Sequence, residues 1–202
     1  MPRGKTFDPE EKLDEALDLF WRQGCDAVSI QDLVDTLDLN RGSLYGTYGD
    51  KEQLWQRALE RYCQQRSVHL ATFFDDPTEP VLPRVRSLIF ELANPNTELP
   101  RGCLIVNAIT ERTNDPATLD IAQRHINHVE DVLRKAFTRA RASGEIPAAS
   151  SPRQLARFLV VVLQGLHVYD RAMADPRRTR DVVEVAMSAI RAGAVADSGT
   201  PL

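Results

Sequence analysis

Apolar residues recur along almost the whole chain at the spacing of one face of an α-helix. The first such stretch, residues 8–23, places Leu13, Leu17 and Phe20 on one face and ends at Gly24. No stretch alternates between apolar and polar residues as a half-buried strand does. The pattern therefore predicts an all-α protein of about nine helices, at residues 8–23, 30–37, 41–47, 50–74, 80–94, 102–113, 116–143, 151–173 and 176–193.

Residues 29–51 carry the most informative pattern, which is that of two short helices joined by a tight turn. Ser29 precedes the first helix as an N-cap, and Asp32 three residues later completes a capping-box pattern. Asp38 and Asn40 bracket the turn, since both side chains tolerate turn conformations and Asn40 can cap the next helix. This arrangement is typical of a helix-turn-helix, whose second helix lies in the major groove of DNA.

The second of these helices, from Arg41 to about Thr47, is poorly suited to stabilise itself. It contains Gly42 and Gly46, each of which costs a helix about 1 kcal/mol relative to alanine. Its composition is better explained by what it faces, because glycine allows a close backbone approach and the polar side chains offer hydrogen-bond donors. Those side chains belong to Arg41, Ser43, Tyr45 and Thr47.

This segment resembles the TetR-type transcriptional regulators, a family of helix-turn-helix proteins. The residues that carry the resemblance are Arg41, Gly42, Ser43, Leu44, Tyr45, Tyr48, Asp50 and Lys51. The match covers about the first 60 residues, beyond which the family shares a helical architecture. Two positions depart from the usual pattern, because Asp38 stands where the family usually has glycine and Thr47 where it has histidine or tyrosine.

The resemblance implies a division of labour on DNA. Tyr45 and Thr47 would hydrogen-bond phosphates, and Lys51 with the start of its helix would grip the backbone. Arg41 and Ser43 would face base edges, where an arginine bound to guanine through two N–H groups gives about 1–3 kcal/mol of discrimination. We expect Tyr45 to be exposed and its neighbours Leu44 and Tyr48 to be core. The predicted DNA-binding set is Ser29, Arg41, Gly42, Ser43, Tyr45, Thr47 and Lys51.

The chain divides by pattern into a small head and a larger body. We expect residues 1–49 to form the DNA-binding domain and residues 50–202 to form a helical domain for effector binding and dimerisation, with a connecting helix at 50–74. With 202 residues, of which 43% are hydrophobic, the chain can bury a sizeable core.

The charge of the chain argues against a nucleic-acid partner, since the net charge is −4. Residues 1–49 hold five basic and ten acidic side chains, a balance of −5. Seven of these acids lie at residues 8–26, which need not face DNA. Arg3, Lys5, Arg41 and Lys51 could form a basic rim, in which the first residues either reach DNA as an arm or stay solvated. With so few cations, useful affinity requires a dimer on two half-sites.

The helix predicted at 151–173 is apolar nearly all round, which is more than one core-facing side requires. A second apolar side favours a second copy of the chain, and the following helix offers a companion stripe. The alternative is a helix that is simply central in its own domain. The predicted dimer interface is Leu155, Phe158, Leu159, Val162, Gly165, Leu166, Val182, Val185, Ala186 and Ala189.

Cys103 is the clearest candidate for sensing. It follows a Pro-Arg-Gly turn at the start of an apolar helix, where helix dipoles and Arg101 favour thiolate reactivity. The stretch resembles the GC-x-x-x-N segment of a branch of the same family, some of whose members respond to oxidants or electrophiles through the cysteine there. The alternative is a small buried hydrophobe, as we expect for Cys25 and Cys63.

A ligand cavity within the body is a further implication of the resemblance. The candidate lining residues, beside Cys103, are Asn107, Glu111, His125, Phe137, His167 and Tyr169. His125 and His128 share a helix face with Asp131, but a histidine pair without a third ligand in register is a weak metal signal. No metal or other cofactor is therefore predicted.

The function expected from the sequence is that of a homodimeric transcriptional repressor, released from a near-palindromic operator by a small molecule, an oxidant or an electrophile. The alternative is a helical small-molecule-binding or adaptor dimer without DNA binding, which Asp38, Thr47 and the acidic head favour. No phosphate loop, nucleophile elbow or metal set indicates an enzyme. No secretory signal or membrane-spanning stretch is recognised, so we expect a cytoplasmic protein.

Overall fold

The computed structural model describes residues 7–92, 102–173 and 175–193. Within these ranges the chain forms nine α-helices and no strand. They are α1 (Pro9–Gln23), α2 (Ile30–Leu37), α3 (Arg41–Tyr48), α4 (Lys51–Phe73), α5 (Val81–Leu92), α6 (Leu104–Glu111), α7 (Pro116–Ala142), α8 (Pro152–Ala172) and α9 (Pro176–Ala192). The predicted all-α class is confirmed, and each helix ends within two residues of its expected bounds.

The helices group into two compact units. The first comprises residues 1–66 and 104–123, and the second comprises residues 67–103 and 124–202. Helices α4 and α7 contribute residues to both. The functional boundary expected after residue 49 stays a prediction, because the first unit also includes α6 and the first turns of α7.

The first unit is built around an aromatic core. Phe20 of α1 and Trp55 of α4 meet edge to face with ring centroids 5.4 Å apart, and both are fully buried. Leu33 and Leu37 give α2 its buried face. Tyr48 is buried at the end of α3, and its hydroxyl donates to Pro9 O at 2.6 Å. These contacts fix α2 and α3 on the framework of α1 and α4.

The end of α6 is held in this unit by charged groups. The Glu111 carboxylate accepts the Asp26 N–H at 2.7 Å, in the link between α1 and α2. The Arg112 guanidinium lies 3.0 Å from Asp26 Oδ1 and 2.6 Å from Glu52 Oε2. It also approaches Cys25 Sγ at 3.1 Å. Residues 111 and 112 therefore connect the end of α6 to the α1–α2 link and to α4, which precede and follow the helix-turn-helix segment.

The second unit has a largely aliphatic core to which α4, α5, α7, α8 and α9 contribute buried side chains. Members of this core include Phe74, which directly follows α4, and Ile89, Leu133, Phe137, Leu159 and Ile190. The start of α5 is capped across the chain, because Val81 and Leu82 donate their N–H groups to the Glu145 carboxylate at 3.0 and 2.9 Å. Burial opposes the charge of Glu145, but these two N–H donors keep its pKa below the usual value.

Part of the predicted dimer interface lies in this core. Leu155, Leu159, Leu166 and Ala186 are buried in the second unit and cannot form an outer surface, which corrects their assignment. The exposed side consists of other members of the set together with two valines. These residues are Phe158, Val161, Gly165 and Val168 on α8 and Val182, Val185 and Ala189 on α9; we call them the outer α8–α9 face. Val162 is half-buried between the two sides.

Candidate nucleic-acid interface

The predicted capping box at the start of α2 is present. Asp32 N–H donates to Ser29 Oγ at 3.1 Å, and Ser29 N–H donates to Asp32 Oδ2 at 2.8 Å. Hydrogen bonding from the Ser29 side chain and from the Ser29 N–H holds the pKa of the Asp32 carboxyl below its usual range. Ser29 is exposed, and its hydroxyl oxygen caps the helix.

The turn between α2 and α3 explains the first departure from the family pattern. Asp38 adopts φ 49° and ψ 46°, the left-handed conformation that glycine adopts at no steric cost and that aspartate tolerates better than most residues. Asn40 then caps α3 by accepting the Ser43 N–H at 2.8 Å. The departure therefore preserves the turn and adds a negative charge to it.

Helix α3 separates its apolar and polar sides as the sequence predicts. Leu44 and Tyr48 are each 2% exposed, whereas Tyr45 is 46% exposed. Arg41, Gly42 and Gly46 are also exposed, while Ser43 and Thr47 are half-buried. A Cβ at Gly46 would meet nothing within 4 Å, so internal packing does not require glycine there. The exposed glycines leave a flat outer surface on α3, and the side chains of Tyr45 and Arg41 project beside it.

The turn into α4 is fixed by a reciprocal pair of hydrogen bonds. Gln53 N–H donates to Asp50 Oδ1 at 2.8 Å, and Asp50 N–H donates to Gln53 Oε1 at 3.1 Å. Gly49 has φ 81°, and a Cβ there would lie 1.7 Å from Gln53 Oε1. Glycine is therefore required at this turn. Lys51 follows as the first residue of α4 and is half-buried.

Two polar residues near the predicted site could not be found from the sequence. Arg41 Nη2 donates to Gln31 Oε1 at 3.1 Å, which links α3 to α2. Arg57 Nη1 donates to Thr47 O at 3.1 Å and adds a cation beside the end of α3. Each pair is ten residues apart on different helices, so neither contact leaves a periodic signal.

The acidic residues of the head concentrate on α1 and are largely committed to internal pairs. Asp14 takes two hydrogen bonds from Arg61, at 3.0 and 2.9 Å, which lower its pKa. Arg61 also lies 3.1 Å from Glu10, and Lys12 lies 2.9 Å from Glu15. An open groove of about 330 Å³ is lined by Glu11, Asp14, Glu15, Leu17, Asp18 and Gln65, none of which belongs to α2 or α3. The negative charge thus lies mainly off the helix-turn-helix pair.

The candidate sensing residues do not all share one unit. Asn107 and Glu111 belong to the first, and Glu111 is exposed with its carboxylate bound to the Asp26 N–H. His125 belongs to the second and lies 3.4 Å from Ser67 Oγ through Nδ1. Phe137 is a fully buried core residue. The cavity role of Asn107, His125, Phe137 and His167 stays a prediction, as does that of Tyr169, whose hydroxyl is 2.7 Å from Arg178 Nη1.

Cys103 lies just before α6 and is 5% exposed. The predicted neighbour Arg101, like Arg3 and Lys5 of the basic rim, lies outside the described residues. None of the three cysteines forms a disulfide. Among the described residues, no group of three or more histidine, cysteine or carboxylate side chains could hold a metal ion. In that part of the chain, no helix is both long and apolar enough to cross a lipid bilayer.

An all-α chain with a capped helix-turn-helix pair and a separate helical unit is the architecture of a DNA-binding regulator. A model of the tetR family of bacterial regulatory proteins matches residues 13–58, and a model of the tetracyclin repressor-like C-terminal domain matches residues 81–186. The chain therefore belongs to the TetR family of DNA-binding transcriptional regulators.

Individual relatives agree with this assignment. The chain is 32% identical to the HTH-type transcriptional repressor ComR of Escherichia coli over 180 residues, which cover 86% of this chain and 84% of ComR. It is 29% identical to the HTH-type transcriptional regulator YezE of Bacillus subtilis, across 94% of this chain and all of YezE. These relatives are regulators, the class that the sequence predicts in place of an enzyme.

Solved structures share the fold. A cysteine mutant of the TetR family regulator CifR, complexed with 26-bp double-strand operator DNA, matches with a TM-score of 0.80 and 29% identity over 93% of this chain and 98% of that one. The reduced form of Escherichia coli NemR matches with a TM-score of 0.75 and 19% identity over 89% of this chain and 92% of that one, a likeness of fold alone.

Proposed function

We propose that this regulator is a homodimeric repressor that binds a near-palindromic operator through α3 and releases it when the second unit senses a chemical signal. The observation that carries the proposal is the two-sided α3, which buries Leu44 and Tyr48 and leaves Tyr45 and Arg41 outside. The similarity to ComR, a repressor, and to CifR, solved on operator DNA, supports the same direction.

In this proposal the contacts divide between phosphate and base. Tyr45 and Thr47 bind phosphates through their hydroxyl groups, and Lys51 binds the backbone at the start of α4. Arg57 adds a cation beside Thr47 and offsets the missing histidine or tyrosine there. Ser29 contacts phosphate at the exposed start of α2. Gly42 has no side chain, which lets the DNA backbone approach α3.

Bases are read from the start of α3. Arg41 is exposed at its first residue, and the N-terminal end of a recognition helix is the end that contacts base edges. Ser43 lies two residues further on and is half-buried, so its short side chain reaches less far toward the base edges than Arg41 does. Arg41 therefore carries most of the direct discrimination.

Dimerisation uses the outer α8–α9 face. Its central valines, Val161 and Val185, are each 70% exposed, so two apolar side chains face solvent in the single chain. Gly165 has open space where a Cβ would stand, so another helix can approach closely. A dimer offers two α3 helices for two half-sites about one helical turn apart. Such a regulator works where the DNA is, in the cytoplasm of a bacterial cell.

The signal is a small molecule, an oxidant or an electrophile that favours one of two states of the dimer. A ligand can shift the equilibrium only by its difference in affinity for the two states. A 100-fold change in operator affinity requires about 2.7 kcal/mol of such difference. Cys103 is the candidate residue for a covalent reaction with an oxidant or an electrophile. The candidate cavity residues would bind a small molecule without a covalent bond.

The experiment is a selection of bound sequences from a random duplex library, with reduced protein at two salt concentrations. We expect an enriched near-palindrome whose binding falls steeply with salt. Arg41→Ala should relax the preference at one base position per half-site, and Tyr45→Phe should leave the selected sequence unchanged. No enrichment by the reduced wild-type protein at either salt would overturn the proposal and favour an adaptor dimer.

A further inference from the structure

Three exposed side chains connect α2 to α3 in one line. Gln31 Oε1 accepts from Arg41 Nη2 at 3.1 Å, and Gln31 Nε2 donates to Asp35 Oδ1 at 2.8 Å. A carboxylate only accepts and a guanidinium only donates, so these two partners fix which end of the Gln31 amide faces each of them. The chain Asp35–Gln31–Arg41 therefore has one self-consistent polarity.

We infer that Gln31, oriented by Asp35, is a positioning residue that aims the Arg41 guanidinium at one base pair and so determines operator specificity. The inference rests on the proposed function and deepens it. It assigns roles to Gln31 and Asp35 that neither the helix-turn-helix pattern nor the family resemblance gives them.

The geometry of an arginine fork explains why positioning matters. Arginine carries five N–H donors, and the bond to Gln31 uses only one of them. The remaining donors can form the paired contact to guanine O6 and N7, which requires a defined plane and direction. An unrestrained arginine at the start of α3 could instead bind a nearby phosphate, which gives affinity without reading the sequence. Restraint by Gln31 therefore favours base discrimination.

Asp35 is otherwise poorly placed for a DNA-binding segment. Its carboxylate is exposed on α2, one turn from Gln31, where it repels phosphate. In this inference the carboxylate lowers total affinity but orients the Gln31 amide. The two effects have opposite consequences for Asp35→Ala, which should raise affinity and lower specificity together.

The test measures dissociation constants for the selected operator and for duplexes with each base of one half-site changed. We expect Gln31→Ala to reduce discrimination about fivefold to tenfold, at the same base pair that Arg41→Ala affects. The double variant should discriminate no worse than Arg41→Ala alone, because Gln31 acts through Arg41. Asp35→Ala should bind all duplexes more tightly and lose discrimination at that same base pair.

Asp38→Asn is the matched control. It removes one negative charge from the same helix-turn-helix, keeps a residue type that tolerates the left-handed turn, and lies outside the Asp35–Gln31–Arg41 line. It should raise affinity for all duplexes about equally. The inference is overturned if Gln31→Ala reduces discrimination at a different base pair or at none. It is also overturned if Asp35→Ala raises affinity for all duplexes equally, as the control does. If the wild-type protein selects no sequence, the proposed function fails first and the inference with it.

Discussion

The indole N–H of Trp55 donates a hydrogen bond of 2.9 Å to Thr118 Oγ1, and both side chains are completely buried. The Thr118 hydroxyl in turn donates to Asp115 Oδ2 at 2.6 Å. Two consecutive hydrogen bonds thus join α4 to the start of α7, and the first of them links residues 63 positions apart in the sequence. This buried pair is one reason why the start of α7 belongs to the first unit.

Thr118→Val should destabilise the protein although it keeps the shape of the side chain. The Trp55 N–H would stay buried without an acceptor, which costs about 1–3 kcal/mol. Urea unfolding followed by tryptophan fluorescence measures this free energy. Thr118→Ser keeps the hydroxyl and is the control, expected to lose less. Equal losses in the two variants would mean that methyl packing, not the hydrogen bond, dominates.

The two tyrosines of α3 should give opposite phenotypes when each loses its hydroxyl. Tyr45→Phe should weaken operator binding roughly fivefold with unchanged stability, because its exposed hydroxyl is a proposed phosphate contact. Tyr48→Phe should lower stability, because its buried hydroxyl donates a hydrogen bond of 2.6 Å to Pro9 O. Fluorescence anisotropy with labelled operator and urea unfolding separate the two. A reversal of these phenotypes would contradict the orientation of α3.

The outer α8–α9 face should hold the dimer together. Val161→Glu or Val185→Glu introduces a charge onto an apolar contact and should yield monomers in analytical ultracentrifugation. Operator affinity should fall about 100-fold or more, because the two half-site contacts are no longer linked. Val68→Glu is the control, since Val68 is 60% exposed on α4 and outside this face. A dimer that survives both interface variants would exclude this face.

The pair of Asp14 and Arg61 should add stability that acid removes. Arg61 holds the pKa of Asp14 below its value in the unfolded chain, which is about 3.9. A lowered folded pKa stabilises the native state above the unfolded value, and this contribution disappears as the pH falls through the folded value. Because the pair is partly exposed, we expect at most about 1 kcal/mol.

The comparison that checks this is wild type against Asp14→Asn. The variant should be less stable at pH 7, and the difference should shrink below about pH 4. Asp18→Asn is the control, since Asp18 lies on the same helix and has no ion pair among the described residues. A difference that persists at pH 2 would come from lost packing rather than from ionisation.

Local signals were sufficient for most of the helix-turn-helix. The Ser29–Asp32 capping box is confirmed because both partners lie within one helical turn. The contrast between Tyr45 and Tyr48 is confirmed because helical periodicity alone assigns them to different sides of α3. The link from Gln31 to Arg41 could not be foreseen, since it depends on how α2 and α3 pack in space.

Helix α8 shows where periodicity fails. It is apolar nearly all round, so the sequence cannot say which side faces its own core. Packing with α5 and α9 decides this, and it buries Leu155, Leu159 and Leu166 while leaving Val161 and Val168 outside. The prediction of a second apolar side was useful, but four of its ten residues belong to the core.

The cysteines allow a final test of how the signal is sensed. Cys63 is half-buried, whereas Cys103 is 5% exposed and Cys25 is fully buried. Burial raises the pKa of Cys25 to about 11, so it should be the least reactive. We expect an electrophile to label Cys63 first, and Cys103 only as fast as local opening exposes it.

If Cys103 is the sensor, operator release should follow the slow labelling of Cys103 and not the fast labelling of Cys63. Cys103→Ser should then abolish release by an electrophile while it leaves operator affinity in the reduced state unchanged. Cys63→Ser is the matched control and should respond as the wild type does. Mass spectrometry of the labelled protein and anisotropy of the operator complex give the two time courses. Release that persists in Cys103→Ser but disappears in Cys63→Ser would assign the sensing role to Cys63 on α4. That helix begins at Lys51, one of the proposed DNA contacts.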